Sequence, residues 1–259
     1  MKILFMGRKQ VSANLLRFLT KQDHIEIVGV LTDSHLQGSP TTAAAQELGL
    51  PLYTFDTALE AMREGRLKYD LGLSVLYWRK LRDEFLSIPT LGTINFHPAL
   101  LPEYKGTGGY NLAIMDELNE WGNTAHYVDA SIDTGEIIEV DRFPIDAETE
   151  TAQSLERKTM QALEDFARRI ITRAIESKTK LPTTPNIGGR YVSRDEMEAM
   201  KQIRDGDNIE KKIRAFWFPP YDGAYVKING QKYTLINRQL LEEVAPKDST
   251  SLFAGKANA

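Results

Sequence analysis

MKILFMG (Met1–Gly7), SANLLRFL (Ser12–Leu19), IEIVGVLT (Ile25–Thr32), TTAAAQEL (Thr41–Leu48) and LGLSVL (Leu71–Leu76) decide the fold. The first, third and fifth are short apolar runs, rich in Ile, Val and Leu and stopped by small or polar residues. They read as buried strands. The second and fourth carry apolar residues at helical spacing, with Ser12 or Asn14 offered as a cap for the first and Gly49 closing the second. Pro51 to Phe55 reads as a further short strand, and Leu59 to Gly65 as a helix. Strand and helix alternate at short intervals, which predicts an α/β chain with a Rossmann-like, mostly parallel sheet and helices on both faces.

The pattern continues outward. Thr93 to His97 (TINFH) reads as a fifth strand ended by Pro98. Asn111 to Leu118 reads as a helix, and Thr124 to Val128 and Ile137 to Phe143 as strands joined by a turn. Thr151 to Ser177 is one long amphipathic helix with Leu155, Met160, Leu163, Phe166, Ile170, Ile171 and Ala174 inward. Lys178 to Tyr191 is rich in Pro, Gly, Thr and Asn and reads as an ordered linker. Asp207 to Ala215 is a short helix. Gly223 to Ile228 and Lys232 to Ile236 form a hairpin across Asn229-Gly230. The expected division is a main α/β domain over 1–182, a linker over 183–206, a small β-rich, hairpin-bearing C-terminal subdomain over 207–246, and a loose tail over 247–259.

Composition removes several classes of function. The 259 residues are 42% hydrophobic and 26% charged, a folding balance. There are no cysteines, so thiolate catalysis and cysteine metal sites are excluded, and the four histidines show no metal-ligand spacing. No metal is expected. The net charge of −4 disfavours a large nucleic-acid partner gripped through phosphates. No run approaches the roughly 18–20 apolar residues of a membrane span. A cytoplasmic protein with a small-molecule partner, no nucleic acid and no membrane is expected.

Chemistry concentrates in Asn95-Phe96-His97-Pro98. Residues two apart on a strand face one side, so Asn95 and His97 point together and Phe96 enters the opposite layer. They sit at the carboxyl end of a strand, where open α/β sheets bind ligands. An imidazole can move a proton at neutral pH, and a carboxamide N–H can donate to an oxygen gaining charge. From the pair alone, a structural and a catalytic reading both stay open. Asp133, in the turn Asp129-Ala130-Ser131-Ile132-Asp133-Thr134-Gly135, could orient and charge such an imidazole, although aspartates also cap turns for backbone reasons. Gly106, Gly108 and Gly109 permit close backbone approach to a ligand. There is no GxGxxG after the first strand, only Gly7, Arg8 and Lys9, which argues against a dinucleotide there.

NFHPALLPEYKG (Asn95–Gly106) followed by TAHYVDASIDTGEII (Thr124–Ile138) resembles the folate-dependent formyltransferase superfamily, whose members include methionyl-tRNA, glycinamide ribonucleotide and sugar-nucleotide formyltransferases. The resemblance is dense over about 70–145 and returns at Ile213 to Ile228. It implies that Asn95, His97 and Asp133 are the catalytic residues. It further implies that 10-formyltetrahydrofolate is the donor and that its pterin lies between Tyr77–Leu81 and Asp129–Asp133. Tyr77, Trp78, Leu81, Asp129 and Ile132 are the expected contacts.

The acceptor is read from departures within the family. The loop Asp33 to Pro40 carries no Lys or Arg, unlike the longer basic loop of the tRNA-modifying relatives, and the C-terminal part is too short for their full barrel. NIGGRYVSRDEMEAM (Asn186–Met200) resembles sugar-nucleotide N-formyltransferases, which implies a nucleotide-linked amino-deoxysugar. Arg8, Lys9 and Lys80 are candidates for its pyrophosphate, Gly106 for close approach, and Tyr191, Trp217 and Tyr221 for stacking. Methionyl-tRNA as acceptor and a non-catalytic binding protein are the alternatives. The hairpin is a candidate homodimer surface.

Overall fold

The structure, a computed structural model, describes residues 1–32 and 38–244. Its strands are β1 (Lys2–Gly7), β2 (Glu26–Leu31), β3 (Leu52–Tyr53), β4 (Leu71–Val75), β5 (Thr93–His97), β6 (Tyr104–Gly106), β7 (Glu120–Tyr127), β8 (Ile137–Pro144), β9 (Arg190–Val192), β10 (Tyr225–Ile228) and β11 (Gln231–Thr234). Its helices are α1 (Gln10–Leu19), α2 (Pro40–Glu47), α3 (Phe55–Arg63), α4 (Asp83–Ser87), α5 (Gly109–Met115), α6 (Ala152–Ser177), α7 (Arg194–Met200), α8 (Ile209–Ala215) and α9 (Arg238–Val244).

Seven strands form one sheet in the order β3-β2-β1-β4-β5-β7-β8. The pairs from β3 through β5 are parallel, and β7 and β8 add antiparallel strands at the far side. The order runs outward from β1 in both directions, so the chain reverses course between β1 and β4. Their carboxyl ends splay apart there and leave a crevice.

Alternation along β1 assigns the two faces. Ile3 and Phe5 join a core with helices α1, α2 and α6. Leu4 and Met6 face the other way and pack with Phe55, Ala58, Leu59 and Phe85 of α3 and α4. Helix α6 forms because Thr151 and Ser154 make a reciprocal capping box, and because its buried stripe Leu155, Leu163, Phe166, Ile170, Ile171 and Ala174 repeats at helical spacing. Each large member of that stripe contributes about 1.5–3 kcal/mol by leaving water. Met160, expected inward, is half-buried at the edge of this core.

A third core lies at the end of the sheet. Trp121 of β7 is fully buried there with Leu112, Ile114 and Leu155. Val192, Met197, Ile213, Phe216, Ala224 and Leu240 from the C-terminal elements close over it. The C-terminal helices and the residues flanking the hairpin, Ala224 and Leu235, therefore share their core with the sheet, while the hairpin strands themselves lie at the surface.

Several local expectations need correction. Helix α1 starts at Gln10 with Lys9 at its cap, and neither Ser12 nor Asn14 caps it. Ser12 is buried, and its hydroxyl donates to the Val75 carbonyl at 3.0 Å, tying α1 to β4. Helix α3 starts at Phe55, not Leu59, because Thr54 and Thr57 form a capping box. The stretch read as linker carries β9 and α7, the latter capped by Ser193 and Glu196. Elements α4, β6 and α9 were not expected. The loop around Asp33 and the tail from Pro246 lie largely or wholly outside the described residues.

Candidate active site

Strand pairing builds the site. In register, Ser74 of β4 lies opposite Asn95 of β5, and Asn95 lies opposite His126 of β7. Directly opposed residues share a face, so these three side chains form a row across three strands. The row is hydrogen-bonded throughout. Ser74 Oγ donates to Asn95 Oδ1 at 2.8 Å, and Asn95 Nδ2 lies 3.0 Å from His126 Nε2. His126 Nδ1 lies 2.8 Å from the Tyr127 carbonyl, which can only accept. Nδ1 therefore carries the hydrogen, and in the neutral ring Nε2 accepts from Asn95. This chain fixes which way the Asn95 amide points and leaves its second N–H for the crevice.

His97, two residues on, shares that face. Its Nε2 donates to the Tyr104 carbonyl at 2.9 Å, and its Nδ1 faces Asp133 Oδ2 at 3.6 Å. The other carboxylate oxygen of Asp133 lies 3.6 Å from His126 Nε2. Both gaps exceed hydrogen-bond length, leaving the carboxylate beside the two rings without a direct bond to either. Asp133 is held elsewhere: Gly106 N–H donates to Oδ2 at 2.9 Å. Its backbone is left-handed, with φ 55°. Two residues on, a Cβ on Gly135 would lie 1.8 Å from the Tyr127 carbonyl, so the turn closes only with glycine there.

Charge is poised by these contacts. Burial pushes the His97 ring below the ordinary imidazole pKa, against the pull of the Asp133 carboxylate and the Tyr104 carbonyl, which favour its protonated form. Burial alone would raise Asp133. The facing His97, the neighbouring His126 ring and the Gly106 N–H outweigh it and bring the carboxyl down to about 2. Asp133 is thus ionised at neutral pH beside a ring whose burial disfavours its charged form. Burial thus works against the charge on His97 that the Asp133 carboxylate favours.

Asn95, His97 and Asp133 open onto a cleft of about 460 Å³ at the crevice between β1 and β4. One end is walled by Leu76, Tyr77, Trp78 and Leu81 against Val128, Asp129 and Ile132. The other carries Arg8, Lys9, Thr107, Tyr110 and Tyr191, and Gly106 and Lys80 also line the cleft. Lys9 is ion-paired with Glu156. Asp129 uses its carboxylate locally, accepting from Ser131 N–H and the Thr134 hydroxyl. Trp217 and Tyr221 are not brought to this cleft. Trp217 packs against the third core, and Tyr221 is 69% exposed beside Phe218.

Sequence reading missed Ser74 and His126. The signal for each was a polar residue inside an apolar strand run, Ser74 in LGLSVL and His126 in TAHYV. What it lacked was the register that sets them beside Asn95. Because His126 orients the Asn95 amide, His126→Phe is expected to lower turnover about 10- to 100-fold by leaving that N–H unpaired. Steady-state kinetics on folded protein checks this, and unchanged kcat refutes the orienting role.

The sequence profile described as formyl transferase matches residues 1–172. A curated methionyl-tRNA formyltransferase of Lysinibacillus sphaericus is 29% identical over 241 residues, covering 86% of this chain and 74% of that protein. Among solved structures, an N-formyltransferase from Helicobacter canadensis, in complex with folinic acid and dTDP-3-aminofucose, is similar with TM-score 0.71 and 25% identity, over 90% of this chain and 86% of that one. A 4-N formyltransferase from Francisella tularensis shares the fold with TM-score 0.75 at 20% identity, over 90% and 96% of the two chains. With its sheet, its crevice and two thirds of its length matching, the chain belongs to the formyl transferase family.

Proposed function

We propose that this enzyme moves a formyl group from 10-formyltetrahydrofolate to the amino group of a nucleotide-linked amino-deoxysugar. The observation that carries the chemistry is the convergence of the Asn95 amide, the His97 ring and the Asp133 carboxylate on one cleft. The slot between Leu76–Leu81 and Val128–Ile132 has apolar walls that fit a flat heteroaromatic donor. The opposite end offers Arg8 and Lys9 to a diphosphate and Tyr191 to a base or sugar. The Helicobacter canadensis relative, bound to a folate and an amino-sugar nucleotide, supports this pairing of ligands.

The residues then divide the work. As the amine attacks the formyl carbon, the free N–H of Asn95 donates to the oxygen that gains charge. His97 takes the proton of the attacking amine on Nδ1, where Asp133 faces it, while its Nε2–H stays on Tyr104. The resulting imidazolium lies between a carbonyl and a carboxylate, so the pair stabilises charge only once it forms. Collapse of the tetrahedral centre breaks its bond to the donor nitrogen, and His97 returns the proton to that nitrogen. Formyl-amine and tetrahydrofolate leave, and the ring is neutral again.

A pH dependence follows. Since burial lowers the His97 pKa, the neutral ring survives to more acid pH than a free imidazole. The His97 ring of the free enzyme is expected to titrate below the ordinary imidazole value, read directly by NMR. Removing the carboxylate in Asp133→Asn removes a charge that holds the proton on His97, so an NMR titration of His97 in that variant should move further down. A ring titrating at or above the ordinary value, or an upward shift in Asp133→Asn, contradicts the assignment.

Methionyl-tRNA remains the second acceptor reading, because curated sequence relatives carry that name. A panel of amino-sugar nucleotides and initiator methionyl-tRNA, each supplied with the formyl donor, separates the two. Tetrahydrofolate release and product mass with an amino-sugar nucleotide support the proposal; turnover with the tRNA alone overturns the acceptor. No release with any acceptor favours a binding protein.

A further inference from the structure

The stretch Asn186-Ile187-Gly188-Gly189-Arg190-Tyr191-Val192 crosses the surface beside the cleft, and most of its residues are exposed. Val192 packs into the third core, and Asn186 turns toward the Asp133 turn. Asn186 Nδ2 donates to the Asp133 carbonyl at 3.0 Å and to the Gly135 carbonyl at 2.8 Å. Its Oδ1 is buried without a partner among the described residues. A flipped amide would set that oxygen against two carbonyls, so the donating orientation is the one the site permits. Both hydrogens of one carboxamide thus clamp the backbone on either side of Thr134, in the turn that holds Asp133 at a left-handed φ.

The same stretch then reaches the other partner of the pair. A Cβ on Gly189 would lie 1.6 Å from the Pro102 carbonyl, so the chain lies against the Pro102–Glu103 backbone. Strand β9 pairs with β6, residue for residue from Tyr104 to Gly106. Within β6, the Tyr104 carbonyl accepts from His97 and the Gly106 N–H donates to Asp133. One strap therefore grips both backbone segments that fix the His97–Asp133 gap.

We infer that Asn186 is a positioning residue: through the Asp133 and Gly135 carbonyls it sets the Asp133 carboxylate against His97, and β9 holds the facing wall. The inference rests on the formyl-transfer reading for its kinetic consequence but not for its geometry. Without the clamp, the turn is free to relax by a fraction of an ångström to an ångström, and misplacements of that size cost on the order of 10²-fold in rate.

The test uses three variants of the full chain. Asn186→Ala removes the side chain, and Asn186→Asp keeps its size but loses both donated hydrogens. Thr183→Ala removes a different bond of the same strap, from its hydroxyl to Glu136, and leaves Asp133 alone. Expected are kcat losses of about 30- to 100-fold in both Asn186 variants, with KM for donor and acceptor within about threefold. Thr183→Ala should keep kcat within about twofold, because its bond ends on the Glu136 side chain and not on the backbone of the turn. Full kcat in folded Asn186→Ala, a loss confined to KM, or an equal loss in Thr183→Ala overturns the inference while leaving formyl transfer standing. Nitrogen-15 NMR of the His97 ring needs no turnover. Its signals should move in Asn186→Asp and not in Thr183→Ala, and identical spectra overturn the inference even if no acceptor is turned over.

Discussion

His97→Ala is expected to lower kcat by about 10³-fold, within the range that a positioned acid–base group contributes. In the site described, no other group facing Asp133 can both take the amine's proton and return it to the departing nitrogen. His126 is the nearest imidazole, but its Nδ1 is bound to the Tyr127 carbonyl and its Nε2 to Asn95. Its proton traffic is blocked without disturbing the amide it orients. Asp133→Asn should lose somewhat less, about 10²-fold, because it removes the charge that steadies the imidazolium but not the proton carrier. Stability should fall by about 1–3 kcal/mol in either case, the cost of disturbing a buried hydrogen-bonded group. Stopped-assay kinetics beside thermal melts distinguish these outcomes. Turnover within tenfold of wild type in a folded His97→Ala protein contradicts the assigned role.

Trp121→Ala is expected to give the largest loss of stability, about 3–5 kcal/mol. The ring is fully buried, packs edge-on against Tyr104 with centroids 5.3 Å apart, and is covered by residues from the C-terminal elements. Removing it opens a cavity where sheet and C-terminal segments meet. A melting temperature lower by roughly 10 °C is expected, from the usual conversion for chains of this size. Trp121→Phe should cost much less, about 1–2 kcal/mol. Among the described residues the indole N–H has no hydrogen-bond partner, so only ring volume is lost. Equal losses from the two variants would mean that the indole nitrogen has a partner. Loss of activity in parallel is also expected, because Tyr104 carries both the packed ring and the carbonyl that holds His97.

The parallel half of the sheet was legible in sequence because each strand there is buried on both faces and reads as an apolar run between helical segments. TINFH kept its expected bounds at Thr93 and His97 for that reason, with Pro98 as a hard stop. The two-residue β3 and the three-residue β6 and β9 were less visible or invisible, being too short to show a period. Helix α7 was legible in principle from Ser193 and Glu196, a capping box that the surrounding Gly and Pro masked. The site divides similarly. Asn95 and His97 are two apart on one strand, so their shared face follows from the pleat. Ser74, His126 and Asn186 act on them across strand pairing and loop closure, and no local pattern specifies which strands become neighbours. Trp217 was misread because an aromatic in a short C-terminal element looks the same whether it stacks on a ligand or packs beside Phe216.

The most direct measurement is a crystal structure of the protein with a stable formyl-folate bound. The account predicts the pterin between Tyr77–Leu81 and Val128–Ile132, with the formyl carbon beside the His97–Asp133 gap and its oxygen within hydrogen-bond reach of Asn95 Nδ2. A folate bound away from that slot, or one whose formyl group points away from Asn95 and His97, would contradict it.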